Sequence, residues 1–566
     1  MNAPVAIGAW RLLVAAALLL LVAGGVAARV VMLQAEEERT FLKRQGDART
    51  VRTLSVQPAR GVIRDRRGEP LAVSTPVAAV WVNPQQFRND HPAVPELAAA
   101  LDFTVADLEA RVARAAGREF LYLRRQVSPD RAASIAALGV PGIDLQDEYR
   151  RFYPAGEVAA QVVGITNIDD QGIEGLELAY DAWLTGSPGR KRVIRDRRGR
   201  VVRDLEYLAT AEPGQDLTLS IDLRLQYLAY RELTAAMKQY QAESGTVVVL
   251  DTRTGEVLAM VNWPSYNPNA PVTSQFERLR NRAVTDLYEP GSTVKPITIA
   301  AALESGRLQR EEIIDTSPGW VRVSGKLITD PLNRGKLDLE QIIARSSQVG
   351  IAHIALALDD DLLRDAFGRF GFGQITGIGF PGETSGVLPE GARWPLIDRV
   401  TFAFGYGIAV TPLQLAQAYS VFANRGVLRA PSLLRLDAPE TGTRVLDAAL
   451  AAEISYMLEG VVRDEGTATR ARIAGYPVAG KTGTVRKVGP GGYDSRRHLA
   501  FFAGYAPVVN PRVATVVVIN EPKGEHTGGG AVAAPVFGRV VAGALRLLSE
   551  PPDVTPLIQA RAGGGQ

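Results

Sequence analysis

No cysteine occurs among the 566 residues of this chain. Its absence excludes a disulfide framework and any thiolate metal site. Histidine is nearly as scarce. His91, His353, His498 and His526 are scattered, and no two are spaced as a ligand pair. An activity without a metal or other cofactor is the expectation. A dominant charge sign is missing as well: the formal net charge is +3, which gives no global argument for a nucleic-acid partner. After residue 33 no second long apolar run appears, so one membrane crossing is expected. The remaining composition, 46% hydrophobic and 22% charged, is that of a globular protein too long for one domain.

The single apolar run lies near the start. Leu12 to Ala28 carries no charge, and Val30 to Leu33 extend it past Arg29. As a helix, residues 12–33 span about 33 Å, enough for the hydrocarbon core. Arg11 precedes the run with little before it, which favours a short cytoplasmic tail (1–11) and an exported body. The small residues around Val26-Ala27-Ala28 resemble a signal-peptide cleavage site, but the run is long for one, and an uncleaved anchor is the reading. Residues 34–56 are charged and polar and read as a juxtamembrane stalk or a solvated linker.

Between residues 57 and 216, short strand-like runs alternate with helical patterns. Arg-Asp-Arg-Arg-Gly occurs at 64–68 and again at 195–199, each reading as a charged hairpin turn ending in a permissive glycine. Glu174 and Glu177 are paired carboxylates, read as a turn and salt bridge rather than a glycosidase pair. No acid, base and nucleophile converge in this stretch, so it reads as a non-catalytic pedestal. From about residue 217 the pattern changes to strand, helix, strand, turn, strand. Two further apolar strands appear in His498 to Pro522, with helices between the ends. The expected fold is α/β (α+β): a central antiparallel sheet flanked by helices over residues 217–548. The Pro- and Gly-rich tail, 549–566, is expected to be disordered.

Three motifs fall in order within that last region. The first is Ser292-Thr293-Val294-Lys295, after Glu289-Pro290-Gly291. At i and i+3 on a helix start, the hydroxyl and amine share a face. A lysine desolvated by apolar neighbours loses its proton readily and can take one from a serine. The second is Ser346-Ser347-Gln348, in which Ser346 can pass a proton to a leaving amine and the Gln348 carboxamide can hold a substrate amide. Ser265-Tyr266-Asn267 also fits this pattern but precedes Ser292. The third is Lys481-Thr482-Gly483-Thr484 on a strand edge. There Gly483 admits a peptide backbone, and Lys481 with the Thr482 and Thr484 hydroxyls would bind a terminal carboxylate. The N–H groups of Ser292 and Thr484 would form an oxyanion hole, worth about 3–4 kcal/mol per donor.

Ser-x-x-Lys, Ser-x-amide and Lys-Thr-Gly form the signature set of serine acyltransferases acting on D-Ala-D-Ala peptides and β-lactams. With the stretches RGVIRDRRGEPLAVSTPV, GIEGLELAYD, EPGSTVKP, FGYGIAVTPLQLAQAYSVFANRG, GYPVAGKTGT and FAGYAPVVNPR, the chain resembles the class B penicillin-binding proteins, specifically the septal peptidoglycan transpeptidases of cell division. The resemblance implies a dimerisation-like pedestal at 57–216, a transpeptidase domain at 217–548, and a single-pass inner-membrane anchor with a periplasmic body at the division septum. It implies acylation of Ser292 by a donor stem peptide with loss of D-Ala, capture by an acceptor amine, and inhibition by β-lactams. Lys295, Ser346 and Lys481 match the family's catalytic positions, and Thr482, Thr484 and Tyr406 its substrate groove. A SEDS-type glycosyltransferase and other divisome membrane proteins are the implied partners. Gln348 departs from the usual Asn. An elongation-type enzyme, a hydrolytic β-lactamase or carboxypeptidase, and a non-enzymatic divisome scaffold are the alternatives.

Overall fold

The computed structural model describes residues 8–34, 51–195, 201–270, 276–390, 394–489 and 491–552. Most of the expected cytoplasmic tail, residues 35–50 of the stalk, the tip of the second Arg-Asp-Arg-Arg-Gly turn and the tail from 553 lie outside the described residues. Helix α1 (Ala9–Gln34) is continuous. Its stretch Trp10–Met32 is long and apolar enough to cross a bilayer, and none of it is buried.

The chain divides into two compact units. One comprises Met1–Ala59, Pro76–Tyr149 and Gly186–Pro213. Its core gathers Val80, Val82, Leu97, Leu101 and Leu108, all fully buried. The end of strand Pro70–Val82 supplies the valines and pairs antiparallel with Leu121–Val127. Short helices at Val94–Ala100, Val105–Ala113 and Pro129–Ala137 cover it. Spacing explains the second of these helices: Leu108 and Val112 fall one turn apart on its buried side, and the Thr104 hydroxyl accepts from the Asp107 N–H at 3.1 Å to cap it. Strands Val51–Val56, Gly189–Arg195 and Val201–Ala209 form a separate antiparallel sheet.

The second unit comprises Arg60–Thr75, Arg150–Thr185 and Gly214–Gln566. Its first segment contains the turn at 64–68: Asp65 Oδ1 accepts from the Arg67 and Glu69 N–H groups, and Gly68 closes the turn at φ 93°. Glu177 is not a free carboxylate. It is wholly buried and accepts from Arg60 Nε and Arg151 Nε, each at 2.6 Å, as a structural salt bridge.

The rest of this unit is built on a five-stranded antiparallel sheet in the order β2-β1-β5-β4-β3. The strands are β1 (Ser244–Asp251), β2 (Val257–Trp263), β3 (Ala479–Gly489), β4 (Gly492–Ala506) and β5 (Val513–Asn520). Central β1 and β5 are buried at every position, which is why they read as unbroken β-branched runs rather than alternating ones. Helices α2 (Leu223–Gln239), α3 (Lys295–Glu304), α4 (Leu339–Ala344), α5 (Gln348–Leu356), α6 (Pro412–Ala423), α7 (Ala448–Gly460) and α8 (Gly529–Leu547) complete the frame. α2 and α8 pack on each other and on the sheet, and α6 packs on β1, β4 and β5. This is the expected antiparallel α/β architecture. α8 is also long and apolar enough to cross a membrane, but 61% of it is buried, so its apolarity serves the core. β3 is an edge strand, and its outer rim of N–H and C=O groups faces away from the sheet.

Candidate active site

Ser292 sits on a 3-10 turn, Gly291–Val294, and α3 begins only at Lys295. The sequence suggested that Ser292 itself opens the helix. Gly291 is left-handed, at φ 54°, and a Cβ there would lie 2.4 Å from Val485 Cγ2 on β3. Thr293 ties the turn shut: its hydroxyl donates to the Pro290 carbonyl at 2.8 Å, and its own carbonyl accepts from the buried Tyr419 hydroxyl at 2.7 Å. Pro296 follows in the first turn of α3, where its missing N–H has no intrahelical role. Ser292 is left half-buried at the head of a rigid turn.

Lys295 is completely buried. Burial pulls its amine down to about 7, partly opposed by the nearby Asp330 carboxylate. Nζ lies 2.7 Å from the Ser346 carbonyl, 3.3 Å from the Ser347 carbonyl and 3.2 Å from Ser346 Oγ. All three accept from Nζ, so its hydrogen-bonding capacity is taken up within the Ser346–Ser347 loop. Among the described residues no hydrogen bond joins Lys295 to the Ser292 hydroxyl. Ser346 holds its place in the left-handed region at φ 57°, a conformation a serine adopts only when its surroundings impose it.

Asp330 pins the residues that follow Ser346. Its carboxylate accepts the Ser347 hydroxyl and the Gln348 N–H (2.6 Å) at the start of α5. Ser347 Oγ in turn accepts the Gly350 N–H at 2.9 Å as the N-cap. Gln348 is thereby fixed through its backbone, while its half-buried carboxamide makes no hydrogen bond among the described residues.

Lys481 is also wholly buried, on β3. Desolvation and the proximity of Lys295 hold its amine well below the ordinary lysine range. Its Nζ donates to the Thr482 carbonyl at 3.2 Å. Thr482 Oγ1 meets Thr467 Oγ1 at 2.9 Å, and the exposed Thr484 accepts the Gly529 N–H at 3.0 Å from the head of α8. Gly483 has a reason the sequence reading did not anticipate. A Cβ there would fall 2.9 Å from Thr293 Cγ2 and 3.1 Å from the Pro290 carbonyl, so the glycine lets β3 lie directly on the Ser292 turn.

Tyr406 stacks edge-on against Tyr493, centroids 5.4 Å apart. The Tyr493 hydroxyl donates to Glu289 at 3.1 Å, and Glu289 also takes the Gly407 N–H at 2.8 Å. Beside Glu289 and the far end of β3, a cleft of about 550 Å³ opens, lined also by Tyr288, Val485 and Arg486. The structure thus brings Lys295, Ser346 and Lys481 into one electrostatic neighbourhood, packs β3 on the Ser292 turn, and seats Gln348 on the same loop as Ser346. Asp330, Glu289, Tyr493 and Thr467 were not foreseen. Asp330 lies 17 residues before Ser347, and Tyr493 lies 204 residues beyond Glu289, so no local spacing could signal either contact.

Comparison with known proteins gives this arrangement its family. The model of the penicillin binding protein transpeptidase domain matches residues 245–542, and that of the penicillin-binding protein dimerisation domain matches residues 55–219. The chain is 44% identical over 519 residues to the peptidoglycan D,D-transpeptidase FtsI of Escherichia coli K12, covering 91% of this chain and 88% of the relative. It is 42% identical to the probable peptidoglycan D,D-transpeptidase PbpC of Pseudomonas aeruginosa, covering 91% of each. The crystal structure of penicillin binding protein 3 from Mycobacterium tuberculosis with aztreonam matches at a TM-score of 0.69 and 26% identity, over 88% of this chain and 98% of that one. The Ser292 turn, the buried lysine pair and the edge strand therefore belong to a penicillin-binding protein of the FtsI type, a peptidoglycan D,D-transpeptidase.

Proposed function

We propose that this transpeptidase cross-links stem peptides of the septal wall through an acyl-enzyme on Ser292. Ser292 Oγ attacks the carbonyl of the penultimate D-Ala. The hydroxyl proton passes to neutral Lys295 and, through Ser346, to the departing amine. The C–N bond breaks, D-Ala leaves, and an ester remains. An acceptor amine then attacks that ester. The new C–N bond forms, and the amine's proton returns along the same groups to Ser292 Oγ.

Lys295 bonds Ser346 rather than Ser292 in the resting enzyme, so the Ser292 hydroxyl and the amine come within bonding reach only when substrate arrives. The Ser292 and Thr484 N–H groups take the oxyanion. Lys481 with the Thr482 and Thr484 hydroxyls takes the terminal carboxylate, Gln348 a substrate amide, and Tyr406 a wall of the groove. β-Lactams enter as the donor does, opening their ring on Ser292. α1 anchors the chain in the inner membrane with the catalytic body in the periplasm, beside a SEDS-type glycosyltransferase. Residues 57–216 serve as a non-catalytic pedestal and 217–548 as the transpeptidase domain.

The observation that carries this reading is a lysine fully buried one turn from Ser292, held near neutrality and bonded to Ser346. Intact-mass analysis after exposure to a β-lactam tests it. The wild type gains one drug mass, whereas Ser292→Ala with an unchanged circular-dichroism spectrum gains none. Full labelling of Ser292→Ala would place the nucleophile elsewhere.

A further inference from the structure

Away from the catalytic groups, α2, α8 and the loop between α7 and β3 enclose a cavity of about 420 Å³. Five arginines line it, Arg231, Arg470, Arg472, Arg539 and Arg546, against one carboxylate, Glu232. Glu232 is already taken by Arg231 and Arg539, and Arg472 pairs with Asp464 outside the cavity. Arg470 reaches only the Ala531 carbonyl, at 3.4 Å, and neither it nor Arg546 has a carboxylate partner among the described residues. For a chain whose net charge is +3, this is a local concentration of positive potential. Its floor is apolar, with Leu228, Ile473, Ala474 and Pro535.

A second cavity of about 600 Å³ shares the wall Arg472-Ile473-Ala474 and continues over Val462, Tyr476, Pro477 and Val478. There the charges balance: Arg463 pairs with Glu459, and Arg472 with Asp464. One end of the composite groove therefore favours apolar side chains and the other favours carboxylates. A concave, bipartite groove suits an extended peptide. A bilayer surface calls instead for a protruding apolar face.

The same elements touch the active site on their other side. Thr467, in the groove loop, bonds Thr482 Oγ1 at 2.9 Å and donates its N–H to the Ala344 carbonyl two residues before Ser346. Arg345 pairs with Glu465 of that loop at 2.6 Å. α8 lines the cavity with Pro535, Arg539 and Arg546, while its first turn holds Thr484 through the Gly529 N–H. Two of the three elements that line the groove, the loop and α8, are thus bonded to the Lys481–Thr484 strand.

We propose that this groove is a docking site for an acidic segment with an apolar anchor, contributed by a partner protein, and that its occupancy alters acylation at Ser292 through residues 463–472 and α8. Binding by itself does not depend on the reading of Ser292, and the experiment separates the two. Full-length protein in detergent is titrated with a fluorescein-labelled peptide carrying a dileucine anchor followed by a run of glutamates. Saturable binding is expected, weakened as salt rises. It should weaken at least about tenfold in Arg470→Glu/Arg546→Glu, and be absent for the same peptide with glutamines.

Both charge-reversed residues are exposed, and labelling of the variant by fluorescent penicillin verifies its fold. The saturating peptide should change the wild-type labelling rate at least about twofold and leave that of the variant unchanged. No binding, or binding indifferent to the two arginines, overturns the docking site. Arginine-dependent binding of phosphatidylglycerol vesicles with none of the peptide overturns it in favour of a lipid surface. Binding without any change in labelling rate overturns the coupling to Ser292.

Discussion

Glu177 and Lys295 are both wholly buried charges in one compact unit, and their surroundings differ in kind. Glu177 has a guanidinium on each oxygen, at 2.6 Å from Arg60 and from Arg151, so its charge is neutralised where it stands. Lys295 has one carboxylate near enough to matter, Asp330, itself occupied by Ser347 and Gln348. It also has a second buried lysine, Lys481, beside it. Its charge is left under-compensated, and the amine responds by losing its proton near pH 7. A paired buried charge becomes structure, whereas an under-compensated one leaves an amine able to accept a proton near neutral pH. The two clusters should therefore fail differently when broken.

The largest effect is expected at the amine. Lys295→Arg keeps a cation that cannot deprotonate, so acylation of the folded fraction by a fluorescent penicillin should fall by about 10²–10⁴-fold, with a lower melting temperature because the larger cation is buried without a carboxylate of its own. Retained acylation would erase the contrast, because the base would lie elsewhere. Glu177→Gln should lose stability alone. It leaves buried Arg151 without a carboxylate and Arg60 with Asp181 alone, and should cost about 3–5 kcal/mol of stability by denaturant titration. The folded fraction should still acylate at the wild-type rate. A loss of acylation without a loss of stability would put Glu177 in the catalytic machinery.

Asp330→Asn sharpens the comparison, since it removes the one carboxylate that raises the Lys295 amine. The pH midpoint of acylation should move lower, and stability should fall by about 1–3 kcal/mol as the bonds to Ser347 and Gln348 lose their charge. A midpoint that stays put would mean the amine does not sense Asp330. The smallest effect is expected at Gln348. Its carboxamide keeps the donors and acceptor of Asn with one more methylene, so Gln348→Asn should hold acylation within about tenfold, roughly 1.4 kcal/mol of barrier. Gln348→Ala should lose more by leaving a substrate amide unpaired. Equal rates for Gln348→Ala and wild type would show that the side chain never meets the ligand.

These contrasts also explain what the sequence could and could not disclose. That Lys295, Ser346 and Lys481 come together was legible because each motif marks its residues within four positions or fewer, and the antiparallel sheet was legible from β-branched runs such as Thr246–Leu250. Asp330 was not, because its partners are fixed by the packing of α5 and not by spacing along the chain. The start of α3 was misplaced by one short turn. Gly291 and Gly483 are there so that the Ser292 turn and β3 can touch, a contact across nearly two hundred residues that no window of sequence contains. The same holds for Arg60 and Arg151, whose shared partner Glu177 ties Arg60–Thr75 to Arg150–Thr185, two segments far apart in the sequence.

The central claim is that Lys295 is the proton acceptor and is poised near neutrality. The pH dependence of second-order acylation by a fluorescent penicillin tests it most directly. A group lowered from 10.5 to about 7 is protonated below that value and free to accept a proton above it. The account predicts a rate that rises about tenfold per unit below the midpoint, turns over near pH 7 and stays level through about pH 9. A rate that is flat across that range, or that keeps climbing toward the ordinary lysine value, would contradict it.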